Sequence, residues 1–147
     1  MFDIRVERLI NKDINTVFDV LADHEGYSRF KGVKKAVLIE HGASEKNGLG
    51  ALRHIDLGAV KFDERITCFD RPYRLDYKIE KSRPLPFQHE LGSISLHEEN
   101  GATKVIWVSK GSINIPILGK HVFDKIFERK GHQGFGSILK SIDHAIA

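Results

Sequence analysis

Apolar and polar residues alternate through most of the chain, and a helical spacing takes over at its end. Ile4 and Val6 alternate with Arg5 and Glu7, which predicts a first strand over about residues 3–10. Asn11-Lys12-Asp13 interrupts it, and Asp13 is placed to cap a helix whose Ile14, Val17, Phe18 and Leu21 share one face. Asp23-His24-Glu25-Gly26-Tyr27 leads into a second short helical segment ending near Gly32, and a strand follows from Lys35 to Glu40. HGASEKNGLG reads as a polar, glycine-containing loop. Three strands over roughly 49–57, 60–69 and 74–81 come next, joined by short turns. SRPLPF, with Pro84 and Pro86, is an extended connection unsuited to a central strand. A hairpin spans roughly 88–110 and turns at Asn100-Gly101, SINIPI (112–117) is a connection, and about 118–146 is helical in pattern. The order is strand, two short helices, six strands, one long helix. It predicts a single α+β domain over residues 1–147, with an antiparallel sheet of about seven strands whose buried face the last helix covers.

Counting by twos through ALRHIDLGAVKFDERI (51–66) raises a problem. One face carries Ala51, Arg53, Ile55, Leu57, Val60, Phe62, Glu64 and Ile66, six apolar residues and one charge of each sign. Gly58-Ala59 suits a two-residue type II′ turn, which makes paired positions sum to 117 and sets Arg53 directly opposite Glu64. The same arithmetic on Asn100-Gly101 gives pairs summing to 201: Gly92 with Ser109, Ile94 with Trp107, Leu96 with Val105. Trp107 and Ser109 then lie beside a glycine that leaves room over the backbone. Pairs summing to 143 set Tyr77 beside Ile66 and diagonal to Glu64. A dry core gains little from an ion pair, since apolar residues in its place are often as stabilising. Two readings stay open: a structural pair that pins strand register, or a partly wet cavity whose polar groups orient a ligand.

The last helix carries Val122, Phe123, Ile126 and Phe127 as an early apolar stripe, and Phe135, Leu139, Ile142 and Ile146 as a later one on a rotated face. GHQGFG (131–136) lies between them. Interior helical glycines cost about 1 kcal/mol each against alanine, so these imply a kink, a phase change or a close approach.

Charge and cysteine content narrow the function classes. The 147 residues carry a formal charge of +3 with both signs interspersed, which argues against nucleic acid as a partner. A single cysteine, Cys68, excludes an internal disulfide; it sits in the inward phase of its strand and reads as a small core residue. MFDIRVERLI lacks the long apolar core of a signal peptide and no run approaches the length of an integral membrane segment, so a cytoplasmic location is expected. The eight histidines are scattered, and His121 and His132 would lie about 16 Å apart along the helix, so no metal is expected. His89 falls in the phase opposite Gly92, Ile94 and Leu96 unless a bulge turns it inward. GLGALR leads into a strand and not a helix, so it is no phosphate-cradling loop, and no cofactor is called for. Arg29, Lys31, Lys34 and Lys35 surround Phe30 and Val33, either as solvated lysines around helix anchors or as a patch for transient membrane or protein docking.

This layout, with VFDVLADHEGYSRF, GLGALR, FDERIT, FDRPYRLDY and the final helix, resembles the START-like (SRPBCC, polyketide cyclase/dehydrase-like) superfamily over essentially the whole chain. The resemblance implies a helix-grip fold: a curved antiparallel sheet around the C-terminal helix, with a hydrophobic cavity between. It also implies that Arg53, Glu64, Ile66, Tyr77 and Trp107 line that cavity. Members of the superfamily bind lipids, sterols, polyketides or quinones, include aromatase/cyclases and coenzyme-Q-binding proteins, or act through protein partners. The expected partner is therefore a small hydrophobic molecule. Phe62, Ile66, Trp107, Phe127, Phe135 and Ile138 would supply the apolar wall, and Arg53, Glu64, Tyr77 and Ser109 the polar end. HGASEKNGLG and SRPLPFQ are candidate mouth loops. Transport or sensing, a cyclase/dehydratase-type reaction in the same cavity, and a protein-interaction module all remain open. No residue is assigned a catalytic role, and the oligomeric state is not legible.

Overall fold

A computed structural model describes residues 1–115 and 120–145. The chain runs β1 (Phe2–Ile10), α1 (Ile14–Ala22), a short 3₁₀ helix (Glu25–Arg29), β2 (Lys35–Glu40), β3 (Leu52–Asp56), β4 (Lys61–Asp70), β5 (Arg74–Arg83), β6 (Phe87–Glu99), β7 (Ala102–Ile113) and α2 (Lys120–Ala145). The strands form one antiparallel sheet in the order β1-β7-β6-β5-β4-β3-β2. The helix-grip architecture is present: α2 lies along β1 and β7, and α1 packs on β6 and β7. The expected connection at Pro116 and Ile117, the helix start at residue 118 and Ile146 lie outside the described residues.

Local chemistry sets these elements. Asp13 caps α1, its carboxylate accepting from the Asn15 and Thr16 N–H groups at 3.1 and 3.3 Å. Ile14, Val17, Phe18 and Leu21 are all buried beneath it. Gly58 turns the β3–β4 hairpin with φ +86°, a conformation that favours glycine, and Arg53 pairs with Glu64 as the turn requires. Leu57, at its tip, is 37% exposed and not interior. Asn100 and Gly101 both have positive φ (52° and 83°), the two-residue turn that matches strand twist. It fixes Gly92 against Ser109, Ile94 against Trp107 and Leu96 against Val105.

Between β4 and β5 the expected register holds for Glu64–Ile79, Arg65–Lys78 and Ile66–Tyr77, then breaks at a bulge before Cys68. The extra residue reverses the alternation. Cys68 pairs with Asp76, and Phe69 pairs with buried Leu75. It is therefore Phe69, 5.3 Å from the Phe18 ring, that packs on the core, and the inward placement of Cys68 is corrected.

Helix α2 runs unbroken through GHQGFG. Gly131 is there for close approach: a Cβ on it would collide with the Ile4 side chain of β1. The inward face is one stripe through Phe127, Gly131, Phe135, Ile138 and Ile142, so there is no phase change. Val122 and Ile126, expected in the early apolar stripe, lie on the outside, 54% and 43% exposed. Phe30 and Val33 belong to the main core, so the lysines around them surround buried anchors and no protruding apolar residue.

Candidate functional site

The concave face of the sheet carries a connected set of buried polar groups. Arg53 on β3 and Glu64 on β4 are 1% and 6% exposed, and Arg53 Nε donates to Glu64 Oε1 at 2.9 Å. Three further side chains hold the guanidinium. Its Nη1 donates to His24 Nδ1 at 3.2 Å, and its carbon lies 4.8 Å from the Tyr27 ring centre and 5.0 Å from that of Tyr77. A cation between two aromatic faces keeps its charge at a tolerable cost in a desolvated place.

His24 and Tyr27 went unrecognised in the sequence. They sit just before and within the 3₁₀ helix, 29 and 26 residues from Arg53, and only the fold brings them under β3. Tyr27 is fixed by its own hydroxyl, which donates to the Leu21 carbonyl at 2.7 Å.

A second branch runs along β5, β6 and β7. Trp107 Nε1 donates to Tyr77 Oη at 3.0 Å. His89 stacks on Tyr77 with ring centres 5.6 Å apart, and its Nε2 lies 3.0 Å from Ser109 Oγ. A bulge between His89 and Leu91 puts the imidazole inside, which reverses its expected phase. The room over Gly92 is not vacant: Tyr77 lies across it, and a Cβ there would come within 2.5 Å of that ring.

Hydrogen bonding assigns both histidine tautomers. His89 Nδ1 accepts the Ile79 N–H at 3.0 Å, so the ring proton is on Nε2 and is donated to Ser109. Ser109 therefore has no base beside it and is not an activated nucleophile. His24 Nδ1 accepts from Arg53, so its Nε2–H donates to the Asn47 carbonyl at 2.8 Å. Burial, with the Arg53 charge beside it, drops the His24 pKa to about 3. Burial, with Lys78 nearby, drops that of His89 to about 4. Both are neutral, fully bonded fixtures at neutral pH.

Glu64 differs. Burial holds its carboxyl above the usual carboxylate range, and Arg53 pulls the other way. Burial also opposes charge on Arg53, but Glu64 and the two tyrosines more than offset it. The two are joined directly, through a carboxyl more basic than an exposed one. Burial, then the Glu64 charge, raises the Tyr77 pKa, so its hydroxyl stays protonated. Among the described residues that hydroxyl accepts from Trp107 but donates to nothing, and Glu64 uses only Oε1.

The apolar residues form two groups. Trp107 stacks on Phe135 of α2 at 4.2 Å with the rings 8° from parallel, in the same apolar cluster as Ile66 and Ile138. Phe62 packs edge-on against Phe87 (4.9 Å) and Phe127 (6.1 Å), and Phe127 also meets Phe2 at 4.8 Å. Phe87 and Phe2 were absent from the expected wall; Phe2 lies on an edge strand that reaches the wall only by pairing with β7. Among the described residues, these rings meet across the place where the hollow is expected. Tyr77 and Trp107 are 4% and 3% exposed, and the two grooves described lie elsewhere. One, of about 370 Å³, is lined by His54, Gly58, Ala59, Lys61, Arg83 and Pro84; the other, of about 300 Å³, adjoins Asp13 and the Asn100-Gly101 turn. Neither includes a member of the buried polar set. Open space does adjoin α2 at Gly134, two turns beyond Phe127 on the same side, where a Cβ would meet nothing within 4 Å.

The family described as polyketide cyclase/dehydrase and lipid transport matches residues 1–138. No curated protein matches the sequence. Among solved structures, the protein TTHA0849 from Thermus thermophilus is similar at 20% identity and a TM-score of 0.78, over 96% of this chain and 94% of that one. The Zhui aromatase/cyclase from Streptomyces sp. R1128 is similar at 15% identity and a TM-score of 0.74, over 99% and 95%. A START superfamily protein from Mycobacterium smegmatis is similar at 10% identity and a TM-score of 0.74, over 97% and 99%. Identities this low establish a shared fold and leave the chemistry to the residues of this chain.

Proposed function

The chain belongs to the polyketide cyclase/dehydrase and lipid transport family, and from that premise we propose that it binds a small hydrophobic molecule bearing an oxygen function, between α2 and the concave face of the sheet. One observation carries this reading. A buried hydroxyl with an undonated proton (Tyr77) and a buried carboxylate with an unused oxygen (Glu64) flank a guanidinium, all walled by aromatic rings. Buried hydrogen-bonding capacity is normally spent, and an undonated buried proton such as that of Tyr77 costs about 1–3 kcal/mol. A ligand carbonyl, hydroxyl or carboxylate would spend it: Tyr77 donates, Glu64 accepts, and Arg53 supplies the positive field. Entry requires Phe135 to leave Trp107 or Phe127 to leave Phe62, on the side of α2 where Gly134 leaves open space. Phe62, Ile66, Ile138 and the two helix phenylalanines form the apolar wall. Ser109, occupied by His89, shapes the polar end without touching the ligand's reacting atoms.

The experiment is native mass spectrometry of the protein purified from its own host, followed by identification of whatever small molecule is released. A bound apolar molecule with at least one oxygen is the expected result. Protein of apo mass that also takes up no fatty acid, quinone or aromatic polyketide would contradict the reading.

A cyclase-type reaction is the second reading. Its specific support is Glu64, among the described residues the one buried carboxylate on the concave face, held more basic than usual and positioned diagonal to Tyr77. Glu64→Gln would then abolish turnover of a bound poly-β-ketone while leaving its binding measurable. Binding without turnover in the unaltered protein assigns it to carriage or sensing.

A further inference from the structure

Helix α2 sorts its charges by side. Its acids turn toward the sheet and are engaged there. Asp124, 2% exposed, accepts the Ile113 N–H at 2.9 Å; Glu128 accepts the Asp3 N–H at 3.0 Å; Asp143 accepts from Arg8 Nη2 at 2.9 Å and from the Asn11 N–H at 3.2 Å. Its exposed cations, Lys125, Arg129, Lys130 and Lys140, form no ion pair among the described residues. Val122, Ile126, Arg129, Gln133 and Lys140 fall at helical spacing on one outward stripe, with Lys125 and Lys130 beside it. That stripe starts with the two exposed apolar residues of the helix.

We propose that this outward face of α2 docks on an anionic lipid surface, with Val122 and Ile126 entering the interface and Lys125, Arg129 and Lys130 meeting the headgroups. Charge complementarity selects an anionic partner, because no carboxylate on this face opposes it. The apolar pair selects a bilayer over nucleic acid. A phosphodiester backbone offers Val122 and Ile126 nothing, whereas the headgroup boundary accepts apolar side chains flanked by lysine and arginine. The other basic patch lacks this feature, since Phe30 and Val33 are buried and Arg29 is paired with Asp23 at 3.6 Å. Docking by α2 does not depend on what the interior binds.

The test is co-sedimentation with phosphatidylcholine vesicles, with and without phosphatidylserine. The full chain is expected to bind only the phosphatidylserine vesicles, and to be released as salt rises from about 0.15 M to about 0.5 M. Removing two cations in Lys125→Gln/Arg129→Gln is expected to weaken binding about 25-fold, near five-fold for each. Val122→Ser/Ile126→Ser is expected to weaken it with the salt dependence retained. Lys34→Gln/Lys35→Gln is expected to bind like the unaltered protein. These positions are exposed, and far-ultraviolet circular dichroism confirms that each variant is folded. No binding to phosphatidylserine vesicles, equal binding to phosphatidylcholine alone, full binding by Lys125→Gln/Arg129→Gln, or stronger binding to a DNA duplex than to vesicles each overturns the proposal.

Discussion

Arg53 and Glu64 concentrate the account at the scale of single residues. Each is buried and each answers the other. Glu64→Gln leaves the guanidinium among two tyrosine rings and a neutral histidine, so it is expected to lower unfolding free energy by about 3–5 kcal/mol. Replacing both, as Arg53→Met/Glu64→Leu, removes the charge along with its partner and is expected to recover most of that loss. Urea titration of the unaltered protein and these two variants measures both numbers. If the double variant is stable but no longer takes up ligand, the pair serves binding and not register. The pair itself was legible because the turn at Gly58-Ala59 fixes every partner behind it. Its surroundings were not. His24 and Tyr27 arrive from a distant 3₁₀ segment, and His89 is turned inward by a bulge that leaves no mark on the apolar–polar pattern.

Elements that bury a regular pattern were readable from that pattern. The hairpins on Gly58-Ala59 and Asn100-Gly101 came out in register because a two-residue turn permits one pairing. The β4–β5 pair was readable only up to its bulge, which carried Cys68 off the core face. On α2, Val122 and Ile126 read as interior by apolar character alone, but a helix has one inward direction and Phe123 and Phe127 take it. The glycines of this helix differ in role, and substitution should separate them. Gly131→Ala requires the fully buried Ile4 side chain or the helix to shift and is expected to destabilise by about 1–3 kcal/mol. Gly134→Ala enters open space and is expected to stabilise the free protein by about 0.5–1 kcal/mol, because only helix propensity changes. Thermal melts shifting in opposite directions for the two variants would bear this out. Weaker ligand uptake by Gly134→Ala would place the ligand against that side of the helix.

Stability of the whole molecule should depend on pH through the two buried histidines. Their folded pKa values, about 3 and about 4, lie below the 6.5 of the unfolded chain. Between those limits the unfolded state binds more protons, so stability rises with pH. The contribution is complete above about pH 6.5 and is lost as pH falls toward 4 and 3, roughly 3 kcal/mol or more per histidine. Glu64 has the opposite sign: its raised carboxyl favours the protonated fold, and that contribution disappears as pH rises through its folded pKa. Denaturant midpoints between pH 7 and 4 should therefore fall steeply in the unaltered protein. They should fall less in His24→Gln/His89→Gln, whatever the variant's absolute stability.

The proposed ligand site is the concave face under α2, and two unusual protons report on it. Trp107 is the sole tryptophan, so its Nε1–H gives a single indole signal, and Arg53 Nε–H is buried against Glu64. The decisive measurement is proton–nitrogen NMR of both signals during titration with anthraquinone-2-carboxylate, a flat apolar probe carrying oxygen functions. The account predicts that the two signals shift together and saturate, while the Nε–H signals of exposed Arg5 and Arg74 stay in place. Unmoved Trp107 and Arg53 signals at saturating probe, with changes confined to surface residues, would contradict it.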